Sequence, residues 1–189
     1  MRLVLATRNP HKVRELAVLM APHEVEPLPD AVELPPETGD TFAANALGKA
    51  RAAAAATGRA TIADDSGIAA EALGGDPGVR SARFAGEQAT DAENLAKLLR
   101  EAPAGSGLTY VCALAFVDPG HGVEHVVEGR CEGTLAANPR GTGGFGYDPA
   151  FVPVEYPDRT MAELTAEEKG AISHRGRAAE SLRSWLLAR

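Results

Sequence analysis

The sequence predicts an α/β protein built on a mixed sheet, and three observations carry that prediction. The chain starts with a short apolar run, a polar turn, a segment of helical period and a second short β-like stretch, a β-α-β opening. Residues 108–117 and 123–131 are β-rich and separated by Asp118-Pro119-Gly120-His121-Gly122, a hairpin pattern that brings antiparallel pairing into the sheet. At 189 residues, 44% of them hydrophobic, the chain suffices for one domain with a substantial core, or one split into two lobes.

The elements follow in order. Residues 2–6 are an apolar run ending in Thr7-Arg8-Asn9-Pro10, which suits a buried strand and a turn. Val13, Leu16, Ala17, Leu19 and Met20 then recur at helical spacing, so a helix is expected over 10–20. Asn9 suits its N-cap, and Pro10 the first helical position, where the missing N–H would have no partner anyway. Residues 22–36 are proline-rich and acidic and predict a short second strand and an irregular loop. A long helix is expected over 41–57, stopped by Gly58, and its many alanines predict close packing on a neighbour. Residues 60–63 read as a short strand delivering Asp64-Asp65-Ser66-Gly67 into a glycine turn, and 74–78 as a loop. Thr90-Asp91-Ala92-Glu93 is a capping-box pattern opening a helix with Leu95, Leu98 and Leu99. Beyond the hairpin come a glycine-rich loop over 141–148, two more capping-box patterns at Thr160 and Thr165, and a helix bearing Leu182, Leu186 and Leu187.

Composition narrows the function. A net charge of −7 argues against a general nucleic-acid binder, which needs a broad basic surface, yet leaves room for a local anion pocket. Cys112 and Cys131 lack CxxC spacing, which argues against zinc; buried thiols or a cross-strand disulfide are the readings left. The first apolar run is too short for a signal peptide, and none approaches the roughly 20 residues that span a bilayer. A cytoplasmic protein with no membrane partner is expected.

Five segments carry candidate chemistry. In Thr7-Arg8-Asn9-Pro10-His11-Lys12 a strand enters a helix, so free amides, the helix dipole and a lysine meet, as a polyphosphate requires; a capped helix with a plain Lys12–Glu15 pair is the alternative. The spacing is not that of a Walker A loop. Adjacent carboxylates at Asp64 and Asp65 point to opposite faces of a strand, so one faces a site and the other supports it. Acids on an apolar strand need a cation or donors, and hard Mg2+ is held by one or two carboxylates plus substrate phosphates; turn capping is the competing account. Glu37-Thr38-Gly39 matters only if the fold brings it beside Asp65. The loop from Gly141 to Asp148 lets backbone approach a flat ligand on which Phe145 or Tyr147 stacks, or is a plain bulge. Lys169 with Ile172-Ser173-His174-Arg175-Gly176 suits phosphate or base carbonyls, or a solvated helix face.

The order of these segments is more informative than any one of them. Thr7-x-Asn9-x-x-Lys12, Glu37-Thr38-Gly39, Ala63-Asp64-Asp65-Ser66-Gly67, Gly141-Thr-Gly-Gly-Phe-Gly-Tyr-Asp148-Pro149 and Ile172-Ser-His-Arg-Gly176 together closely resemble the inosine triphosphate pyrophosphatase family, from Leu3 to the last helix. The resemblance implies an elongated α/β fold, a mixed sheet flanked by helices in two lobes with a central cleft, forming one nucleoside-triphosphate pyrophosphatase domain and a homodimer. It implies Mg2+-dependent conversion of ITP, dITP or XTP to the monophosphate and pyrophosphate. By position, Thr7, Arg8, Asn9, Pro10, His11 and Lys12 would bind phosphates, and Glu37 and Asp65 would hold Mg2+. Asp65 would also accept the proton of the attacking water. Ser66, Phe145, Gly146, Tyr147, Asp148, Lys169, His174 and Arg175 would complete the nucleotide site. The competing readings are a Maf-like pyrophosphatase of other modified or pyrimidine nucleotides and a non-catalytic nucleotide binder. An Asp-x-Asp phosphatase is disfavoured, because Asp64 and Asp65 are adjacent rather than alternate.

Overall fold

A computed structural model describes residues Met1–Arg189. Its strands form one six-stranded sheet in the order β2-β1-β3-β4-β5-β6. Strand β1 (Arg2–Leu5) pairs in parallel with β2 (Glu24–Pro27) and with β3 (Thr61–Ala70). Strands β4 (Gly107–Asp118) and β5 (Val123–Leu135) are neighbours joined by residues 119–122, and β6 (Phe151–Pro153) runs antiparallel to β5. The sheet is mixed, as predicted.

The helices begin and end where their caps place them. Asn9 caps α1 (Pro10–Leu19), and its side chain accepts from the amides of His11 and Lys12. Thr41 caps α2 (Phe42–Thr57), which stops at Gly58 with φ 66°, a left-handed conformation that glycine adopts without steric penalty. Reciprocal capping boxes open α3 (Asp91–Glu101) at Thr90 and α4 (Ala166–Ile172) at Thr165, and α5 (His174–Leu187) follows. The Thr160–Glu163 box opens only a single 3-10 turn, Met161–Glu163. No helix is long and apolar enough to cross a membrane.

The chain divides into two compact units, one of Met1–Asp65, Cys112–Gly129 and Arg175–Arg189, the other of Ser66–Val111 and Arg130–His174. In the first, strand alternation sorts side chains onto two faces. Leu3, Leu5, Ile62, Cys112 and Leu114 pack with Leu16 and Met20 of α1 and Ala178, Ala179 and Leu182 of α5. Val4, Ala6, Ala63, Ala113 and Ala115 pack with Ala46, Ala50, Ala53 and Ala54 of α2, together with Leu28 and Val32. Small side chains on both sides let α2 lie close to the sheet, as its alanine content predicts. Trp185 of α5 meets Phe116 edge-on at 5.6 Å and His125 face to face at 4.0 Å. The second unit has its own core around Ile68, Leu98, Leu108, Tyr110, Phe151 and Met161.

One expectation about an element fails. Residues 60–63 were expected to end in a glycine turn, but β3 runs straight through Asp64, Asp65, Ser66 and Gly67 to Ala70. Gly67 is a close-approach residue, not a turn residue. A Cβ there would lie 2.6 Å from the Gly78 carbonyl oxygen and overlap the Ser81 hydroxyl, which itself accepts from Ile68 N at 2.8 Å. Turn capping is thereby excluded for Asp64 and Asp65. Both cysteines are free, buried thiols, so the cross-strand disulfide does not form.

Candidate active site

In the first unit the turn from β1 to α1 is built from its own side chains. Asn9 Oδ1 accepts from His11 N at 2.9 Å and Lys12 N at 3.4 Å, and Thr7 Oγ1 accepts from Asn9 N at 3.2 Å. Pro10 starts the helix. The plain Lys12–Glu15 pair does not form. Lys12 instead forms an ion pair with fully buried Asp64 on β3, and Glu15 accepts from Arg175 Nη1 at 2.6 Å. Asp64 Oδ2 also accepts from Arg175 Nε at 2.8 Å and from the Cys112 thiol at 3.1 Å. Two carboxylates and two cations therefore balance, with Asp64 and Arg175 buried and Lys12 and Glu15 partly exposed. Burial alone would raise the Asp64 pKa, but the charges of Arg175 and Lys12 outweigh it and hold it well below the usual carboxylate range.

Asp65 points to the opposite face, toward α2. Asn45 Nδ2 donates to Asp65 Oδ2 at 3.0 Å, and Lys49 Nζ stands 3.6 Å from Asp65 Oδ1. Lys49 also donates to the Asp64 carbonyl at 2.8 Å and pairs with Glu37. The condition set for Glu37-Thr38-Gly39 is thus met: the fold brings Glu37 and Asp65 together on one ammonium. Gly39 N donates to Asn45 Oδ1 at 2.8 Å, which fixes the end of that loop against α2. Burial raises the Asp65 pKa against the pull of Lys49, and the nearby Glu37 charge raises it further. No three His, Cys, Asp or Glu side chains are grouped as a metal cage.

Asn45 and Lys49 were missed from the sequence. The signal was there in retrospect: two polar residues four apart on a helix face otherwise made of alanine, a spacing that puts them side by side.

The second unit holds its own polar cluster around the glycine loop. Buried Asp148 accepts from Phe145 N at 2.9 Å and Lys169 Nζ at 2.8 Å through Oδ2, and from the Tyr110 hydroxyl at 3.1 Å through Oδ1. Gly144, at φ 68°, leaves room for that carboxylate, which a Cβ would overlap. Half-buried Phe145 has Lys169 Nζ 5.1 Å from its ring centre, and His174 stacks on Tyr110 at 4.4 Å. Gly146 N donates to Asp91 Oδ2 at 3.0 Å, and Ser66 is half-buried at the start of this unit.

Three of the expected ligands are engaged within the protein. Tyr147 is buried and its hydroxyl donates to the Ser81 carbonyl at 2.7 Å, so it is a core residue and offers no stacking face. Arg175 is 1% exposed and engaged with Asp64 and Glu15, because a buried carboxylate on β3 needs a counter-charge. Arg8 directs its guanidinium to backbone carbonyls of the loop after β2.

A sequence model of the Ham1 family matches residues 3–185. The chain is similar to the dITP/XTP pyrophosphatase of Geobacillus kaustophilus, 50% identical over 95% of this chain and 91% of the relative. It is similar also to that of Streptomyces coelicolor, 49% identical over 96% and 94%. Among solved structures, a HAM1 protein from Coxiella burnetii matches with a TM-score of 0.87 and 39% identity over 100% of both chains. A nucleoside-triphosphatase (dITP/XTP pyrophosphatase) from Mycobacterium abscessus matches at 0.73, with 49% identity over 96% and 98%.

Proposed function

The chain belongs to the Ham1 family, and on that premise we propose that it hydrolyses dITP, XTP and ITP to the nucleoside monophosphate and pyrophosphate, removing deaminated purines from the nucleotide pool. The observation that carries the reading to particular residues is the meeting of Glu37 and Asp65 on Lys49, one strand position away from the Asp64–Lys12 pair.

The donor set fits Mg2+. Glu37 and Asp65 are the one or two carboxylates that a hard cation takes when phosphate oxygens complete its shell, and their convergence on an ammonium marks a place that favours positive charge. When bound, the ion supplies charge neutralisation on the phosphoryl oxygens. Water attacks the α-phosphorus, the α–β anhydride bond breaks, and pyrophosphate leaves. Asp65, whose proton affinity burial has raised, takes the water's proton. Asn45 fixes the Asp65 carboxylate, and Lys12, held by Asp64, meets the developing negative charge together with the α1 amides. Phe145, Lys169 and His174 recognise the base. An N–H donor aimed at the 6-oxo group of hypoxanthine or xanthine would face another donor in adenine, a mismatch that rejects substrates by roughly 10⁴-fold. A homodimer acting in the cytoplasm belongs to the same reading, and sedimentation of the purified protein tests the dimer.

The test is pyrophosphate release from XTP, dITP, ITP, GTP and ATP, with and without Mg2+. The expected result is Mg2+-dependent release that is fast for the first three. Equal rates on ATP and ITP would overturn the proposal.

A further inference from the structure

Arg8 lies between Thr7 and Asn9, the two residues that shape the entrance to α1, yet its guanidinium closes on a different segment. Nη1 donates to the Leu28 carbonyl at 3.0 Å, and Nη2 donates to those of Pro29, Asp30 and Val32 at 2.8, 3.2 and 2.8 Å. The Asp30 carboxylate stands a further 3.6 Å from Nη1. A guanidinium presents its donors in a rigid planar fork, which lysine does not. Here the fork collects four backbone oxygens from one stretch that follows β2. Buried Leu28 and Val32 seat the same stretch in the alanine-rich core, so it is fixed from both sides. Glu37 follows five positions after Val32, through Pro35 and Pro36, whose rings fix φ and stiffen the connection.

We propose that Arg8 is a positioning residue: by clamping residues 28–32 it holds Glu37 in place beside Lys49 and Asp65, and it is not a phosphate ligand. The inference rests on the metal role proposed for Glu37. It links two parts of the site, since a side chain in the turn expected to bind phosphate sets the loop expected to bind the cation.

Arg8→Ala and Arg8→Lys in the full chain test it. Hydrogen exchange, which needs no turnover, should be about tenfold faster in Arg8→Ala at amides of residues 30–39 and unchanged in the strands. The Mg2+ concentration giving half-maximal XTP hydrolysis should rise about tenfold in Arg8→Ala and less in Arg8→Lys, as it does when a group behind a metal ligand is lost. The KM for XTP at saturating Mg2+ should hold. A raised KM with an unchanged Mg2+ requirement would make Arg8 a phosphate ligand and sink the clamp. Unchanged exchange at residues 30–39 would sink it as well. Failure of the wild-type protein to release pyrophosphate from XTP would remove the activity reading instead, and the exchange result would still decide whether Arg8 clamps the loop.

Discussion

Asp64 and Asp65 are chemically identical neighbours with opposite surroundings, and the difference is the strand's alternation. Asp64 lies among two cations and a thiol, Asp65 beside an amide and one shared lysine. Their asparagine variants should separate. Asp65→Asn keeps the hydrogen bond from Asn45 and should lose about 10²–10⁴-fold in kcat with an unchanged melting temperature, since it removes a base. Near-normal turnover of that variant would refute the base assignment. Asp64→Ala removes the buried one of Arg175's two carboxylate partners, leaving it Glu15, and should lower unfolding free energy by about 3–5 kcal/mol in urea titration. Lys12 would lose its anchor in the same variant, so activity should fall at temperatures where the fold survives.

At the scale of elements, Gly67 and Glu168 make opposite cases for what a sequence discloses. The Thr165-x-x-Glu168 pattern announces the start of α4 from four adjacent residues, and the structure has both reciprocal bonds. Gly67 was read as a turn because its true partner, Ser81, lies fourteen positions on and only the fold brings it near. Caps, the hairpin and the apolar run of β1 were legible because each is decided within a few residues. The Asp64–Arg175 pair, 111 positions apart, was not, nor was the burial of Tyr147 against the half-exposure of Phe145, since a glycine loop has no period to read. Two predictions belong here. Gly67→Ala should destabilise by about 1–3 kcal/mol in the same titration, the penalty of overpacking against backbone that cannot retreat. Glu168 is lowered to about 2 by its bond with Arg159, then by the Thr165 amide. A depressed carboxylate pKa stabilises the fold above the unfolded value, about 4.3, and the contribution fades as pH falls through the folded one. The stability advantage of wild type over Glu168→Gln should therefore be constant above about pH 5 and shrink steadily as pH falls toward the folded value, whereas an advantage of the same size at about pH 2 as at about pH 5 would exclude the linkage.

For the whole molecule, the first unit is assembled from three separate stretches of chain, and the last of them brings both a charge and core side chains. Residues 175–189 supply Arg175 to Asp64 and Ala178, Ala179 and Leu182 to the core with α1. Leu182→Ala should cost about 2–5 kcal/mol. Ending the chain at His174 should leave a protein with no cooperative melting transition by circular dichroism; a sharp transition near the wild-type temperature would show that the first unit closes without α5.

The aromatic residues are divided between the two units in a way that has an optical consequence. The single tryptophan, Trp185, belongs to the first unit, while all three tyrosines, Tyr110, Tyr147 and Tyr156, belong to the second. Indole emission therefore monitors one unit and phenol absorbance the other, with no label added. If the two signals change at the same urea concentration, the chain melts as one cooperative body. If they part, the spectra alone identify which unit lets go first.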